Sequence, residues 1–217
     1  MSRHVKALAL LGGMALAGPA FAQGETPKLG GFVLGARLGL AFPGGKIDRA
    51  ASEGISYAVP VAVPFELDVG GRFSFGLGLG GYFQLAPAAT DHCPAGHTCS
   101  ALSFRLGVQG EYRFRNGERV MPWVGAGFGW EFFALEEKAG GQTTTATAWG
   151  PEGNVQGGVD FRLGRRWAIG PYLALHFARF DKEKVDGPAG NQTVTVPSGE
   201  RATHTWTIVG VRSSVTF

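Results

Sequence analysis

The stretch "FVLGARLGLAF", residues 32–42, alternates between bulky apolar residues and mostly small ones. Phe32, Leu34 and Leu38 fall at even positions, whereas Arg37 falls at an odd position between two small-residue neighbours on the same face. Successive side chains of a β-strand point to opposite faces, so this period of two indicates a strand with unlike faces. The stretch therefore predicts a strand with one continuous apolar face and one face of small residues around an arginine.

The same alternation recurs in seven further segments of the chain. They are residues 60–69, 72–85, 101–114, 120–132, 151–163, 167–180 and 203–217. Each segment is long enough to cross a bilayer as a tilted strand, which takes about 9–11 residues. The pattern predicts an all-β chain with eight strands, and it indicates no helix.

The connections between these segments alternate in length. Tight turns containing glycine are expected at residues 70–72, 115–119 and 164–166. Between them lie long polar stretches, expected as loops, at residues 43–57, 86–100, 134–149 and 181–202. Short turns at one rim and long loops at the other are typical of a bacterial outer-membrane barrel.

The polar faces of the strands decide which way the barrel is turned. They carry six cations and six anions among glycines, alanines and serines: Arg37, Arg72, Arg105, Arg113, Arg162, Arg212, Glu66, Asp68, Glu111, Glu131, Glu152 and Asp160. A soluble eight-stranded barrel of the lipocalin kind would turn these residues outward, but so many small residues make a poor solvated exterior. Small residues mixed with pairable charges suit a narrow interior filled by side chains. We therefore predict an eight-stranded antiparallel transmembrane up-and-down β-barrel with interior charges.

The N-terminal residues have the pattern of a secretory signal peptide. Arg3 and Lys6 precede an apolar run at residues 7–17, and Ala-Phe-Ala at residues 20–22 resembles a cleavage site. The run is too short for a membrane anchor, which needs about 20 apolar residues. We expect a signal peptide at residues 1–22 and a barrel domain at residues 23–217. Cleavage removes Arg3 and Lys6 and lowers the formal charge from +3 to +1, which gives no case for nucleic-acid binding.

The eight strands, the unequal connections and the closing "VGVRSSVTF", residues 209–217, resemble the small outer-membrane barrels of the OmpA and OmpX type. The resemblance implies that an aromatic last residue, with apolar residues at alternate positions before it, is read by the barrel-insertion machinery. Val209, Val211, Val215 and Phe217 occupy those positions, and Ser213 interrupts the pattern. The sequence ends where the barrel closes, so the peptidoglycan-binding domain of OmpA-type proteins is not expected.

The expected role is structural or surface-interactive, through four long extracellular loops. The partners expected of a monomer of this kind are outer-membrane lipid, the insertion machinery and an unidentified extracellular ligand of the loops. No cofactor and no enzymatic activity are expected. A small-solute channel is the main alternative, and a membrane-embedded lipid-modifying enzyme is a weaker one.

Three further features of the sequence are candidates for other chemistry. The stretch "DHCPAGHTC", residues 91–99, contains two histidines and two cysteines, so a metal site is conceivable. In an exported chain a disulfide between Cys93 and Cys99 is favoured. His176 is expected on an inward face; outer-membrane lipid A deacylases carry serine two positions after such a histidine, and Ala178 stands there. Residues 76–81 match G-x-G-x-x-G, but no helix follows them, so a nucleotide loop is not expected.

Aromatic residues near the strand ends are expected in the two girdles at the membrane–water interfaces. They are Trp123, Trp130, Trp149, Trp167, Trp206, Tyr57, Tyr82, Tyr112 and Tyr172.

Overall fold

The structure, a computed structural model, describes residues 30–46, 54–188 and 190–217. The expected signal peptide, residues 1–22, lies outside the described residues. The strands are β1 (Gly31–Gly45), β2 (Phe65–Arg72), β3 (Leu77–Ala88), β4 (Thr98–Arg113), β5 (Val120–Ala139), β6 (Gln142–Arg162), β7 (Trp167–Ala178), β8 (Lys182–Gly187), β9 (Gly190–Thr195) and β10 (His204–Thr216). One helical turn, α1 (Ile55–Ala58), lies between β1 and β2.

Eight of the strands form a closed ring. Each strand from β1 to β7 pairs antiparallel with the next, and β10 pairs with both β7 and β1. A closed ring leaves no free sheet edge, so backbone hydrogen bonds are satisfied without water. The prediction of an eight-stranded antiparallel up-and-down barrel is confirmed.

The two faces of the wall have opposite chemistry. Leu38 and Val108 point outward and are 57% and 64% exposed, whereas Arg37 and Arg105 point inward and are 3% and 0% exposed. A water-soluble barrel would bury the leucine and expose the arginine. The apolar outer face is the one that a bilayer requires, so the lipocalin-like alternative is wrong. No helix in the described ranges is long and apolar enough to cross a membrane.

The first tight turn lies three residues later than its sequence predicts. Strand β2 continues through Arg72, and the Phe73 amide donates to the Leu77 carbonyl across a turn at residues 73–76. Of the two glycines expected to make the turn, Gly70 instead allows close packing between strands, whereas Gly71 has open space beside it. A Cβ on Gly70 would lie 2.8 Å from the Gly80 Cα on β3. The other two expected turns fall where predicted, between β4 and β5 and between β6 and β7.

Two of the four stretches expected as loops are largely strand. Strands β5 and β6 are 20 and 21 residues long; they continue past the barrel and join at Gly140 and Gly141, which both have positive φ. Strand β8 pairs with β6 across residues 145–149, and β9 pairs with β8. Hydrogen bonding to an existing sheet edge orders these polar segments. A four-stranded extension therefore rises from one side of the outer rim.

The first connection contributes α1, which the sequence did not indicate. Ile55 and Val59 are 1% and 0% exposed, and they pack in one cluster with inward-facing residues of the barrel wall. The Asp91 amide of the second connection donates to the Ala58 carbonyl at 3.0 Å. The first two connections are thereby joined over the outer end of the lumen.

Candidate functional site

The barrel interior is the site with the densest polar chemistry in the described residues. All twelve charged residues named from the sequence lie at inward-facing positions of the wall. Nine are buried: Arg37, Glu66, Arg72, Arg105, Arg113, Glu131, Glu152, Asp160 and Arg212. Asp68, Glu111 and Arg162 are half-buried, and Arg162 Nη1 has no hydrogen-bond partner among the described residues.

The outer cluster is centred on Arg105, at the level of the outer half of the lumen. The Arg105 guanidinium lies 2.6 Å from Glu131 Oε1 and 3.2 Å from Glu152 Oε2. Each glutamate also contacts a histidine: His204 Nε2 lies 2.8 Å from Glu131, and His176 Nδ1 lies 3.1 Å from Glu152. Ion pairs of this kind are stable only when the remaining lone pairs are also satisfied, and these two carboxylates are.

Other members of the outer cluster add hydrogen bonds to it. Ser103 donates to Glu131 at 2.9 Å, and Tyr82 donates to Glu152. The Gln84 side chain accepts from Arg105 and donates to Glu66 at 2.8 Å. Glu66 thereby connects this cluster to the middle of the lumen.

The inner cluster lies at the end with the short turns and contains Arg72, Glu111, Arg113, Asp160 and Arg212. Glu111 lies 2.7 Å from Arg72 and 2.8 Å from Arg212. Asp160 lies 2.8 Å from Arg113 and 3.1 Å from Arg212. Three guanidinium groups therefore share two carboxylates, and Ser214 and Thr216 accept further hydrogen bonds from Arg113 and Arg72.

Arg37 joins the two clusters at the centre of the lumen. Its guanidinium lies 2.7 Å from Asp68 and 3.3 Å from Glu66, and it also donates to Gln109 and Gln156. The Trp123 ring lies 5.7 Å from the Arg37 guanidinium carbon and 3.8 Å from that of Arg212. Arg37 therefore contacts the outer cluster through Glu66 and shares the Trp123 ring with Arg212 of the inner cluster.

Four aromatic residues expected in the interface girdles lie inside the barrel instead. Trp123 and Trp206 are 1% and 0% exposed, and Tyr82 and Tyr172 are also buried. Their places in the strand alternation put them on the inward face. Both tryptophans and Tyr172 make cation–π contacts there, and the Trp206 ring lies 4.9 Å from the Arg105 guanidinium carbon. The girdle expectation is wrong for these four.

The other aromatic residues of that set lie outside the lumen. Trp130, Trp167, Tyr112 and Tyr57 are exposed, and Trp149 is half-buried. Trp130 and Tyr112 make edge-to-face contacts with Phe128 and Phe114, which are also exposed.

An apolar cap closes the outer end of the lumen above the network. We define it as Ile55, Val59, Phe133 and Phe180, all of which are buried. The Phe133 and Phe180 rings are 6.4 Å apart, and the Phe180 ring lies 4.3 Å from that of His204. Sequence reasoning missed both the cap and His204, although the alternation in β10 places His204 on the same face as Trp206.

The second connection contains the expected disulfide, between Cys93 and Cys99. His97 contacts Glu137 of β5, and the His92 ring stacks on Tyr57 at a centroid distance of 3.7 Å. No group of three or more potential metal ligands occurs in the described ranges. The metal-site alternative is therefore not supported, because its four residues have these other partners.

His176 is held by Glu152 in the outer cluster, and Ala178, two residues later, is buried on the same inward face. The glycines of the G-x-G-x-x-G match lie in the first turn and in β3, which pairs with β2 and β4. Gly76, which has positive φ, forms the turn, and Gly78 and Gly81 lie within a paired strand.

The residues of the expected insertion signal lie on the last strand and at its end. Val209 and Val211 are exposed on the lipid-facing side, Val215 is half-buried, and Phe217 is exposed. The Phe217 amide donates to the Phe32 carbonyl at 2.8 Å, and the two rings are 6.3 Å apart. The last residue is thereby attached to the first strand.

The closed eight-stranded ring, the apolar exterior and the charged interior define the class of small bacterial outer-membrane barrels. The chain superposes on OprG from Pseudomonas aeruginosa with a TM-score of 0.54 and 13% identity, covering 88% of this chain and 97% of that one. A major outer-membrane protein from Thermus thermophilus gives 0.54 and 13%, covering 86% and 99%. AlkL, determined in lipid bilayers, gives 0.51 and 18%, covering 94% and 97%. The resemblance to such barrels is confirmed for the fold.

At the level of sequence, the chain matches no family model and no curated protein.

Proposed function

We propose that this protein is a monomeric outer-membrane barrel with a closed lumen, which acts as a scaffold for ordered extracellular loops. On this proposal residues 1–22 direct export and are cleaved, and the insertion machinery reads Phe217 with Val209, Val211 and Val215. Outer-membrane barrels are the structural neighbours of the chain, which supports this location.

The main evidence for a closed lumen is the side-chain packing at the level of Arg105. Arg105, Glu131 and Glu152 span the interior there, and all three have almost no solvent exposure. Trp206 stacks on the arginine, and the apolar cap lies beyond it. This arrangement argues against a small-solute channel, which needs a continuous water-filled path.

The same arrangement argues against an enzyme in the interior. A general base must reach the proton that it removes from a substrate. Here both histidines of the outer cluster are buried and bonded to glutamates beneath the cap. A substrate would have to displace the cap before reaching either of them.

The loops support the scaffold role because much of their backbone is ordered. The extension formed by β5, β6, β8 and β9 presents exposed threonine, asparagine and glutamine side chains, and a disulfide constrains the neighbouring connection. A preordered surface loses little conformational entropy when it binds a partner. We propose that this surface binds an extracellular ligand.

Two measurements on matched proteins test the proposal. The purified wild-type barrel should give no stable single-channel conductance in a planar bilayer; discrete, reproducible openings would support the channel instead. The second measurement uses a variant in which residues 182–195 are replaced by a short Gly-Asn turn, expressed in cells that lack the wild-type protein. This variant should assemble normally but fail to restore binding of the extracellular ligand to the cell surface. A variant that binds as well as wild type would remove the extension from the proposed role.

A further inference from the structure

A pocket on the outside of the barrel lies where the strands leave the membrane. We call it the basic pocket and define it by Lys46, Arg179, Ser198, Arg201 and Thr203. Its volume is about 480 Å³, and it is open to the surroundings of the barrel. Three cationic side chains and two hydroxyl groups line it.

Strand register places three of these residues side by side. Gly45 pairs with His204, and His204 pairs with Ala178 across three adjacent strands. One residue nearer the outer rim on each strand, the chain has Lys46 after Gly45, Thr203 before His204 and Arg179 after Ala178, and all three are exposed. They therefore form a row across β1, β10 and β7 on the lipid-facing side of the wall.

The row lies immediately above the apolar belt. Phe177 lies two residues nearer the membrane than Arg179, and Phe42 lies four residues nearer than Lys46. Both phenylalanine side chains point outward and are exposed. Aromatic side chains in outer-membrane barrels mark the level where acyl chains meet headgroups. The basic pocket is thus at headgroup level, on the rim that carries the long connections.

Arg201 completes the pocket from above and is held in place. Its Nη1 lies 2.9 Å from Asp181 Oδ1, and its Nε donates to the Val196 carbonyl at 2.9 Å. Asp181 therefore offsets the charge of Arg201. Arg179, by contrast, forms no ion pair with any residue in the described ranges. It can offer its planar set of donors to an incoming anion.

We propose that the basic pocket binds the phosphate of a membrane lipid headgroup. Arginine matches phosphate oxygens in a two-pronged geometry, and the hydroxyl groups of Ser198 and Thr203 can donate to the same group. Because the pocket lies just above Phe42 and Phe177, we expect it to bind the phosphate of a lipid in preference to inorganic phosphate. The inference adds a ligand to the proposed barrel and rests on its orientation in the membrane.

The test uses the full barrel refolded in a maltoside detergent, which contains no phosphate. Native mass spectrometry compares retention of phosphatidic acid with that of diacylglycerol bearing the same acyl chains. We expect wild-type protein to retain one phosphatidic acid at concentrations where diacylglycerol is not retained. Because one surface cation near an anionic headgroup contributes about 1 kcal/mol, Arg179→Gln should weaken retention about fivefold.

Three controls make the outcome specific. Lys138→Gln removes the same charge near the tip of the extension and should leave retention unchanged, whereas Arg179→Lys should retain part of it. Thr203→Val should give a smaller loss than Arg179→Gln. Equal retention of both lipids, or an Arg179→Gln protein that matches wild type, would overturn the proposal. Inorganic phosphate that displaces the lipid at equal concentration would identify a free-anion site and overturn the lipid assignment.

Discussion

Replacing Arg105 by methionine tests whether the interior network is dry. Methionine keeps an unbranched apolar stem out to the position of Nε but removes the charge and every donor. Glu131 and Glu152 then lose their shared partner in a region with almost no solvent exposure. Each glutamate keeps one histidine, which is why the barrel should still fold.

The expected loss follows from the burial of the pair. Removing one partner of a buried ion pair costs about 3–5 kcal/mol, because the other charge stays buried without compensation. In a hydrated lumen the same substitution would cost about 0–1 kcal/mol, as for exposed ion pairs. Adding Glu131→Gln to Arg105→Met removes the charge of one of the two glutamates that have lost their arginine partner. We therefore expect the double variant to recover about 1–3 kcal/mol of the loss.

Urea unfolding of barrels refolded into lipid vesicles gives the free energy of unfolding. Tryptophan fluorescence is a suitable probe because Trp206 stacks on Arg105. Lys138→Gln is the control, since Lys138 pairs with Glu136 at an exposed site and its loss should change stability by less than about 0.5 kcal/mol. A loss below about 1 kcal/mol for Arg105→Met, without recovery in the double variant, would refute a dry, ion-paired lumen.

Three further predictions concern the barrel wall and its attachments. Because the sheet is closed, unboiled protein in detergent should migrate differently from boiled protein on a gel; identical mobility would contradict the fold. Thiol labelling of intact cells should fail until a reductant opens the bond between Cys93 and Cys99, and ready labelling without reductant would mean free thiols. Deleting Phe217 removes a ring contact and a hydrogen bond to Phe32, so the purified protein should lose at most about 2–3 kcal/mol and still refold in detergent. Outer-membrane assembly in cells should fall sharply, and normal assembly would remove the proposed targeting role.

The strands of the barrel could be predicted because the membrane enforces a strict contrast between their faces. In β1, Leu34 and Leu38 meet lipid while Arg37 meets the lumen, so every second residue changes character. Outside the membrane that contrast disappears. Thr143, Thr145 and neighbouring residues of β6 have water on at least one side, so their alternation is weak although they lie in a long strand.

The interior network could be predicted in composition but not in its contacts. Alternation identifies Glu131 and Arg105 as inward-facing on neighbouring strands. It cannot match Glu131 with His204, which is 73 residues away and becomes a neighbour only because the ring closes with a particular stagger. For Trp123 and Trp206, the residue type predicted a place in the interface girdles, whereas the odd or even position in the strand predicted a place in the lumen. The position in the strand gave the correct prediction, because a side chain cannot leave its face of the strand.

The energy needed to displace the apolar cap distinguishes a closed lumen from a pore that opens by thermal fluctuation. Ions can reach the outer cluster from the loop side only after Ile55, Val59, Phe133 and Phe180 are displaced into water. Exposing a buried apolar side chain of this size costs about 1.5–3 kcal/mol, so four of them cost at least about 6 kcal/mol. Since 1.4 kcal/mol corresponds to a factor of ten, the open fraction would be about one in ten thousand or less. Trp206 and the Arg105 ion pairs, directly beneath, would then have to separate as well, so we expect the lumen to stay closed, as proposed.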